Sequence, residues 1–142
     1  MARPFSLDSL YDHKFDPKTH RHYVNDTLCV LHCHHYMALY IQLALDTGKT
    51  ELLAECARST YRQFLTQCYE KTAAVSIEEK IQTAVQAYAM QGLGKLSVIY
   101  FGSDSGEFEL SRSHCDSGWV KKWGVYDKPI NSITPKLVDS LR

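Results

Sequence analysis

The longest apolar run of the chain lies in its first third, and in a helix its apolar residues would fall on nearly every side. Asn25 or Asp26 can cap that helix, and Gly48 can end it directly after Thr47. A helix that is apolar nearly all round is typically buried at the centre of a fold. The pattern therefore predicts a central, buried helix over residues 25–47.

Two further helices are predicted from apolar residues that recur at helical spacing. The first of them begins at Thr50 as its cap and continues to about Lys71. Ser76 and Glu79 have the spacing of a capping box, and Gly92 ends the helix that follows them. The first two thirds of the chain are therefore expected to be mainly helical.

The pattern then becomes typical of strands. Residues 95–101 are rich in β-branched and aromatic side chains, and residues 107–111 alternate between apolar and polar, with a Gly- and Ser-rich loop between them. A short helix capped by Asp116 and a last helix from Pro129 or Pro135 complete the chain. The predicted fold class is α+β, with three helices followed by a β-hairpin and short C-terminal helices.

A short hairpin is also predicted near the N-terminus, where residues 11–15 and 20–24 flank the turn-forming pair Asp16-Pro17. The chain has 142 residues, of which 44% are hydrophobic. That length and composition suit one domain with a core of its own. We therefore predict a single domain over residues 1–142.

Charge, the length of the apolar run and cysteine content indicate which partners and which cellular location to expect. Lys and Arg number 16, Asp and Glu also number 16, and no basic run is present, which argues against nucleic acid as a partner. The apolar run is too short and too rich in histidine to span a membrane, and the first residues lack the apolar core of a signal peptide. The five cysteines are an odd number, and we expect reduced thiols in a cytoplasmic protein.

The tetrapeptide His32-Cys33-His34-His35 interrupts the apolar run. Polar groups in an apolar segment cost free energy unless they are paired, so the tetrapeptide suggests a site. On a helical wheel His32 and His35 are neighbours and share a polar stripe with Gln42 and Asp46. The two histidines can hold a zinc ion or another transition metal, or a polar ligand. Alternatively, each satisfies a backbone carbonyl or faces solvent.

Aromatic and thiol side chains near the tetrapeptide have two interpretations. Cys33 lies on the apolar side of the predicted helix, where it is either a pocket residue or an inert buried thiol. Tyrosines within predicted elements are core rings, or they line a pocket for a planar or apolar small molecule. The predicted ligand-binding residues are His32, Cys33, His35, Tyr36, Tyr40 and Trp119.

A second cluster, His114-Cys115-Asp116, follows a predicted strand and can open a helix. The helix dipole favours the thiolate form of a cysteine at this position. Cys115 is therefore the candidate nucleophile and His114 the candidate base, if the protein is an enzyme. The same two residues, with His32 and His35, form the candidate metal-ligand set. The alternative is a capped turn with an incidental thiol.

The last third of the chain carries three features in sequence. These are the entry Gly92-Leu93-Gly94 to a strand, the hairpin over 95–111, and the segment Gly118-Trp119…Trp123-Gly124…Pro129. With these features residues 92–142 resemble the C-terminal half of the 4-vinyl-reductase-like small-molecule-binding domains. The resemblance implies a hydrophobic ligand pocket between helices and sheet, sometimes with cysteine or histidine at a metal site. The chain departs from that family in lacking clustered cysteines after Cys115, so no catalytic residue is carried over.

The sequence as a whole predicts a domain that binds an apolar or aromatic small molecule, with a metal held by histidine and cysteine as an added feature. Two alternatives stay open. One is a small hydrolase that depends on cysteine and histidine, and the other is an accessory subunit of a larger enzyme complex. The expected partners are the small molecule itself and, in addition, either further copies of the chain or a larger enzyme.

Overall fold

A computed structural model of the chain describes residues 10–125, 127, 131, 134 and 135. The elements found in this part form two antiparallel sheets, one of three strands in the order β1-β2-β3 and one of two strands. In chain order the elements are β1 (His13–Asp16), β2 (Arg21–Val24), β3 (Thr27–Cys29), α1 (His34–Asp46), α2 (Thr50–Thr72), α3 (Ile77–Met90), β4 (Gly94–Phe101), β5 (Gly106–Ser113) and α4 (His114–Trp123).

The predicted layout, with helices first, is wrong. The chain does mix helices and strands, but a three-stranded sheet precedes the helices. Asn25 and Asp26 were expected to cap the first helix, yet both have positive φ, 49° and 62°. Two consecutive residues of this kind form the tight turn of a hairpin, and β3 pairs with β2 directly after it. The first helix therefore begins only at His34.

The predicted N-terminal hairpin is confirmed, because β1 and β2 pair with Asp16 opposite Arg21. The carboxylate of Asp16 closes the turn, accepting hydrogen bonds from the Thr19 hydroxyl at 2.7 Å and the Lys18 backbone N–H at 2.9 Å. These bonds, with the one from Thr19 as the larger cause, hold the pKa of Asp16 below its ordinary value.

The predicted bounds of α2 and α3 agree with the structure to within about a turn. The capping box is present: the Glu79 N–H donates to Ser76 Oγ at 3.2 Å, and the Ser76 N–H donates to Glu79 Oε2 at 3.0 Å. At α4, however, the cap is Ser113 and not Asp116, whose own N–H donates to Ser113 Oγ at 3.2 Å. Thr134 and Pro135 are helical, and the rest of the predicted last helix lies outside the described residues.

The core lies between α2 and α3 and is closed by α1, β4 and α4. The Tyr61 hydroxyl donates to the Ala84 carbonyl at 2.7 Å, and the rings of Tyr61 and Tyr88 meet edge to face at 6.4 Å. These contacts tie α2 to α3. The buried residues of this core are Leu10, Ala38, Ile41, Tyr61, Leu65, Cys68, Ala84, Ala87, Tyr88, Leu96 and Trp119.

Helix α1 is not the buried central helix that its apolar sequence predicts. Only one side, with Ala38, Ile41 and Ala44, is buried. Several of its large apolar residues are nevertheless exposed, with Leu39 at 42% and Leu43 at 61%. The helix packs on α2 and on α4 and lies at the surface of the domain. Within the described part of the chain, no helix combines the length and the apolar character needed to cross a membrane.

Candidate functional site

A half-open cavity of about 510 Å³ lies between the N-terminal sheet and α2. Most of its wall comes from β2, β3, the connection from β3 to α1, and one face of α2, and Met37 of α1 and the segment after α3 complete it. Apolar side chains supply much of the lining: Val24, Val30, Leu31, Met37, Leu53, Ala57, Phe64 and Leu93. The other lining residues are Tyr11, Thr27, Cys29, His32, Cys56, Thr60, Tyr61, Gln63, Gln67 and Gln91.

Buried Asn25 holds the sheet in place over α2. Its Nδ2 donates to the Leu10 carbonyl at 3.1 Å, and its Oδ1 accepts from the Asp12 N–H at 3.1 Å and from Lys71 Nζ at 2.8 Å. The positive φ of Asn25 is one that asparagine tolerates better than most residues. One residue therefore turns the chain between β2 and β3 and also anchors that turn to α2.

A second link joins β3 to α2 at the cavity wall. Gln67 Nε2 donates to Thr27 Oγ1 at 3.0 Å, and Cys29 Sγ donates to the Thr27 carbonyl at 3.3 Å. Because side chains of a strand alternate between its faces, Thr27 and Cys29 point to the cavity while Leu28 points away and is exposed. The three-residue strand thus supplies two polar groups to one side of the cavity.

The chemistry of the lining favours a neutral, mainly apolar ligand. Among the described residues that line the cavity, none is Asp, Glu, Lys or Arg. The Tyr61 hydroxyl is already bonded to the Ala84 carbonyl, and burial raises the pKa of this tyrosine well above its ordinary value. A few amide, hydroxyl, thiol and imidazole groups remain to orient a ligand. This mixture is typical of small-molecule sites.

Of the predicted ligand-binding residues, His32 is the one that lines the cavity. It lies before the first turn of α1, so the helical spacing expected between His32 and His35 does not apply. Its ring lies 4.9 Å from the ring of Tyr36 and 6.1 Å from that of Tyr40. His32 therefore stands between the cavity and the outer face of α1.

The other predicted residues lie elsewhere. Cys33 and His35 are exposed at the start of α1, with Cys33 Sγ 4.0 Å from His35 Nδ1. Tyr36 and Tyr40 are on the outer face of α1, half-exposed. Trp119 is buried in the core. The cluster expected from the sequence is thus divided among a cavity, a surface and the core.

The second predicted cluster lies next to the first. Helix α4 packs on α1, and His34 lies so close to Gly118 that a Cβ there would approach His34 Cδ2 to 2.5 Å. His114 is exposed at the start of α4, where its N–H donates to the Leu93 carbonyl at 3.1 Å. The side chain of Cys115 lies outside what the structure describes, and the catalytic roles of His114 and Cys115 stay predictions.

No group of three or more His, Cys, Asp or Glu side chains suited to a metal ion occurs among the described residues. The Cys115 side chain lies outside the described part of the structure, so the metal set of His32, His35, His114 and Cys115 stays a prediction. A metal at this place would need the start of α1 and the start of α4 together, since those two helix ends carry its ligands.

Several cavity residues were not predicted as site residues. Leu53, Cys56 and Phe64 belong to the stripe at helical spacing from which α2 is predicted. Cys29 was assigned to a helix. The available signal was the Asn25-Asp26 pair, which is typical of a two-residue hairpin turn and would have placed β3 next to β2.

Comparison with known proteins identifies the fold. No family model and no curated protein matches the sequence. The crystal structure of the phenol-responsive sensory domain of the transcription activator PoxR, with phenol, has a similar fold, with a TM-score of 0.71. The match covers 91% of this chain and 71% of that one at 11% sequence identity. At that identity the likeness shows the α+β arrangement common to the two chains.

Proposed function

We propose that this chain is a small-molecule-binding domain that takes a neutral, ring-containing, mainly apolar ligand into the cavity between the N-terminal sheet and α2. The observation that carries the proposal is the cavity itself, with a volume of about 510 Å³ and no charged side chain among its described lining residues. Sites for small molecules generally have volumes of roughly 300–1,000 Å³ and apolar linings with a few polar groups.

Two further observations support this function. The sensory domain with a similar fold responds to phenol, an apolar ring with one hydroxyl group. In this chain His32, Gln63 and Thr60 are polar groups at the cavity that can bond such a hydroxyl. A single phenol ring fills only part of the cavity, so we expect a larger, fused-ring phenol to bind more tightly.

We also propose that the chain is a distant member of the 4-vinyl-reductase-like small-molecule-binding domains. The structure of this region agrees with the features that carry the resemblance: α4 follows the hairpin of β4 and β5. Trp119 lies in the core, and Gly124 directly follows the helix. The helices precede this hairpin, as the resemblance implies, and the cavity lies between a helix and the N-terminal sheet. Membership of that family favours the same class of ligand.

The first test fills the cavity. Ala57→Trp places a large ring among the lining residues, and Ser59→Trp makes the same change at an exposed position of the same helix. Calorimetric titration with phenol and 2-naphthol should show one-to-one binding to the wild type and the Ser59→Trp control. Ala57→Trp should weaken binding at least about tenfold, equivalent to about 1.4 kcal/mol. Equal binding to Ala57→Trp, with an unchanged unfolding midpoint, would contradict the proposal.

The second test compares ligand binding after substitution of His32 and of His35, which the sequence predicts to share one site. His32 lines the cavity, whereas His35 is exposed and contacts Cys33. Glutamine keeps a similar volume and hydrogen-bonding capacity in both positions. His32→Gln should weaken binding of 2-naphthol several-fold, and His35→Gln should leave it at the wild-type value. A loss with His35→Gln alone would move the site to the start of α1.

A further inference from the structure

The wall that α2 supplies to the cavity consists of two rows of side chains that run side by side along the helix. At about 100° per residue, one row falls between about 0° and 80° on a helical wheel counted from Leu53, and its members are Leu53, Ala57, Tyr61 and Phe64. The other falls between about −80° and −20°, and its members are Cys56, Thr60, Gln63 and Gln67. We call them the apolar row and the hydrogen-bonding row.

The two rows differ in depth as well as in chemistry. Cys56, Thr60 and Gln63 are exposed, whereas the members of the apolar row are half-buried or, in the case of Tyr61, buried in the core. His32, on the connection from β3 to α1, is a polar lining residue that is also exposed. The hydrogen-bonding row therefore lies at the open side of the cavity, and the apolar row lies at its inner side.

The hydrogen-bonding row differs from the rest of the exposed surface of α2, because it carries no charge. The charged residues between Leu53 and Gln67 are Glu55, Arg58 and Arg62, and all three fall about 140–200° from Leu53, on the far side of the helix. None of the three lines the cavity. The exposed side of a helix normally carries charged as well as polar residues. An exposed row without charge beside a cavity favours a neutral ligand that bonds to it.

The cavity is longer than it is wide. Leu53 and Gln67 are 14 residues apart, which at 1.5 Å per residue is about 21 Å along the helix. A cube with the cavity volume of about 510 Å³ would measure only about 8 Å on each side. A ligand that fills this space is elongated, and its long axis lies along α2. One long edge of the ligand then meets the hydrogen-bonding row, and the other meets the apolar row.

We propose that the ligand is an elongated, neutral aromatic molecule with at least two hydroxyl or carbonyl oxygens along one long edge, such as a fused-ring polyphenol. This inference rests on the proposed function and names the class of ligand within it. Gln67 Nε2 already donates to Thr27 Oγ1 of β3 at 3.0 Å, so Thr60 and Gln63 supply the hydroxyl and the amide that bond the oxygens. An oxygen on the other edge would be buried against the apolar row without a partner, which lowers affinity.

The first measurement compares two ligands of the same composition. In 2,7-dihydroxynaphthalene, the same-edge diol, both hydroxyl groups lie on one long edge. In 2,6-dihydroxynaphthalene, the opposite-edge diol, they lie on different edges. Calorimetric titration of the wild type at neutral pH should show at least about tenfold tighter binding of the same-edge diol, because the opposite-edge diol buries one hydroxyl against apolar side chains. Equal affinities, or tighter binding of the opposite-edge diol, overturn the inference.

The second measurement removes the hydrogen-bonding groups of the row. Thr60→Val/Gln63→Leu, the row variant, replaces both with apolar side chains of similar size at exposed positions. Thr66→Val/Gln86→Leu makes the same two changes at exposed positions that do not line the cavity. The row variant should reduce the preference for the same-edge diol at least about threefold, because this diol loses two hydrogen bonds and its isomer loses one. The control should keep the wild-type preference.

Two results with these variants overturn the inference: a row variant that keeps the full preference, or a control that loses it. The ratio of the two affinities is the deciding quantity, since a mere distortion of the cavity would weaken both diols alike. Circular dichroism checks that each variant keeps its helices. If the row variant does not, Gln63→Leu with Gln86→Leu as its control makes the same comparison.

A ligand with a single hydroxyl group separates this inference from the proposed function. The wild type should bind the same-edge diol at least about threefold more tightly than 2-naphthol, because the second hydroxyl gains a partner in the row. Binding of 2-naphthol together with equal affinities for the two diols overturns the inference and leaves the proposed function in place. Absence of binding of all three ligands contradicts the proposed function and this inference with it.

Discussion

Helices α1 and α2 each carry an apolar stripe of large side chains, but only the stripe of α2 is buried. In α2 the stripe with Tyr61, Leu65 and Cys68 is buried in the core. In α1 the stripe with Leu39 and Leu43 is exposed. Periodicity thus identifies a face of a helix, but it does not identify what covers that face.

Side-chain size explains the difference. The inward side of α1 is rich in alanine, which allows a close approach of the helix to its neighbours α2 and α4. The inward side of α2 has large side chains that fill the space between helices. The comparison can be tested with matched residue types from the two helices.

A pair of leucines gives the largest expected effect. Leu65 is 1% exposed, so Leu65→Ala should lower the free energy of unfolding by about 2–5 kcal/mol, through lost burial and a cavity. Leu39→Ala should lower it by less, about 1 kcal/mol or below, because 42% of that residue is already exposed to water. Urea denaturation measures both values. Equal losses would mean that α1 is a core helix after all.

Gly118→Ala tests which side of α1 is held by the domain. Alanine would normally stabilise a helix, yet its Cβ would lie 2.5 Å from His34 Cδ2 and 3.4 Å from the His34 carbonyl oxygen. We expect a loss of about 1–3 kcal/mol from this overpacking, measured as a lower unfolding midpoint. The same substitution in a His34→Ala background should be neutral or stabilising. A stabilised single variant would show that α1 and α4 do not pack in this way.

A pair of tyrosines isolates one hydroxyl group. Tyr61→Phe leaves the buried Ala84 carbonyl without its donor and should cost about 1 kcal/mol of unfolding free energy. Tyr40→Phe, on the outer face of α1, should change that free energy by less than about 0.5 kcal/mol. Denaturation of the two variants at neutral pH gives both values. A larger cost for Tyr40→Phe would point to a partner for its hydroxyl.

A pair of cysteines gives the smallest effect at neutral pH and a pH dependence of known sign. Burial raises the pKa of the Cys68 thiol from 9.0 to about 11. Below pH 9 the thiol is protonated in both states and its contribution to stability is fully present. As the pH rises from 9 to 11 the unfolded thiol ionises while the folded one does not, so stability falls.

The cysteine variants check this slope. Cys68→Ala should reduce the fall in unfolding free energy between pH 9 and 11, and Cys33→Ala should retain it because Cys68 is left in place. Part of the fall above pH 10 should persist in both variants, since burial raises the pKa of Tyr69 from 10.0 to about 12. At neutral pH, iodoacetamide should modify exposed Cys33 in the folded chain and Cys68 only after unfolding. Fast modification of Cys68 would contradict its burial.

The parts of the fold that depend on neighbours in sequence were predictable. The capping box of α3 joins residues only three apart, and the bounds of α2 follow from its periodicity together with Gly48. The C-terminal hairpin likewise needs only two strand patterns and the loop between them. In each case the deciding interactions are local, so the chain segment carries them wherever it lies.

The candidate site could be predicted only in part. His32 was identified because a polar side chain in an apolar run needs an explanation, and it does line the cavity. Its partners in the wall, such as Gln67 and Phe64, lie on a helix about 30 residues further on. The sequence around these two residues does not show whether their side of the helix faces a cavity or the core, because the helix presents an apolar face in both cases.

By itself, the sequence determined, to within about a turn, where α2, α3, β4 and β5 begin and end, and which residues of each share a face. Tertiary structure decided that residues 27–29 form a strand, because β2 offers them backbone hydrogen bonds that a helix cap at Asn25 would forgo. It also decided that the alanine side of α1 is inward. Burial is a property of what packs against a face, and that neighbour comes from distant parts of the chain.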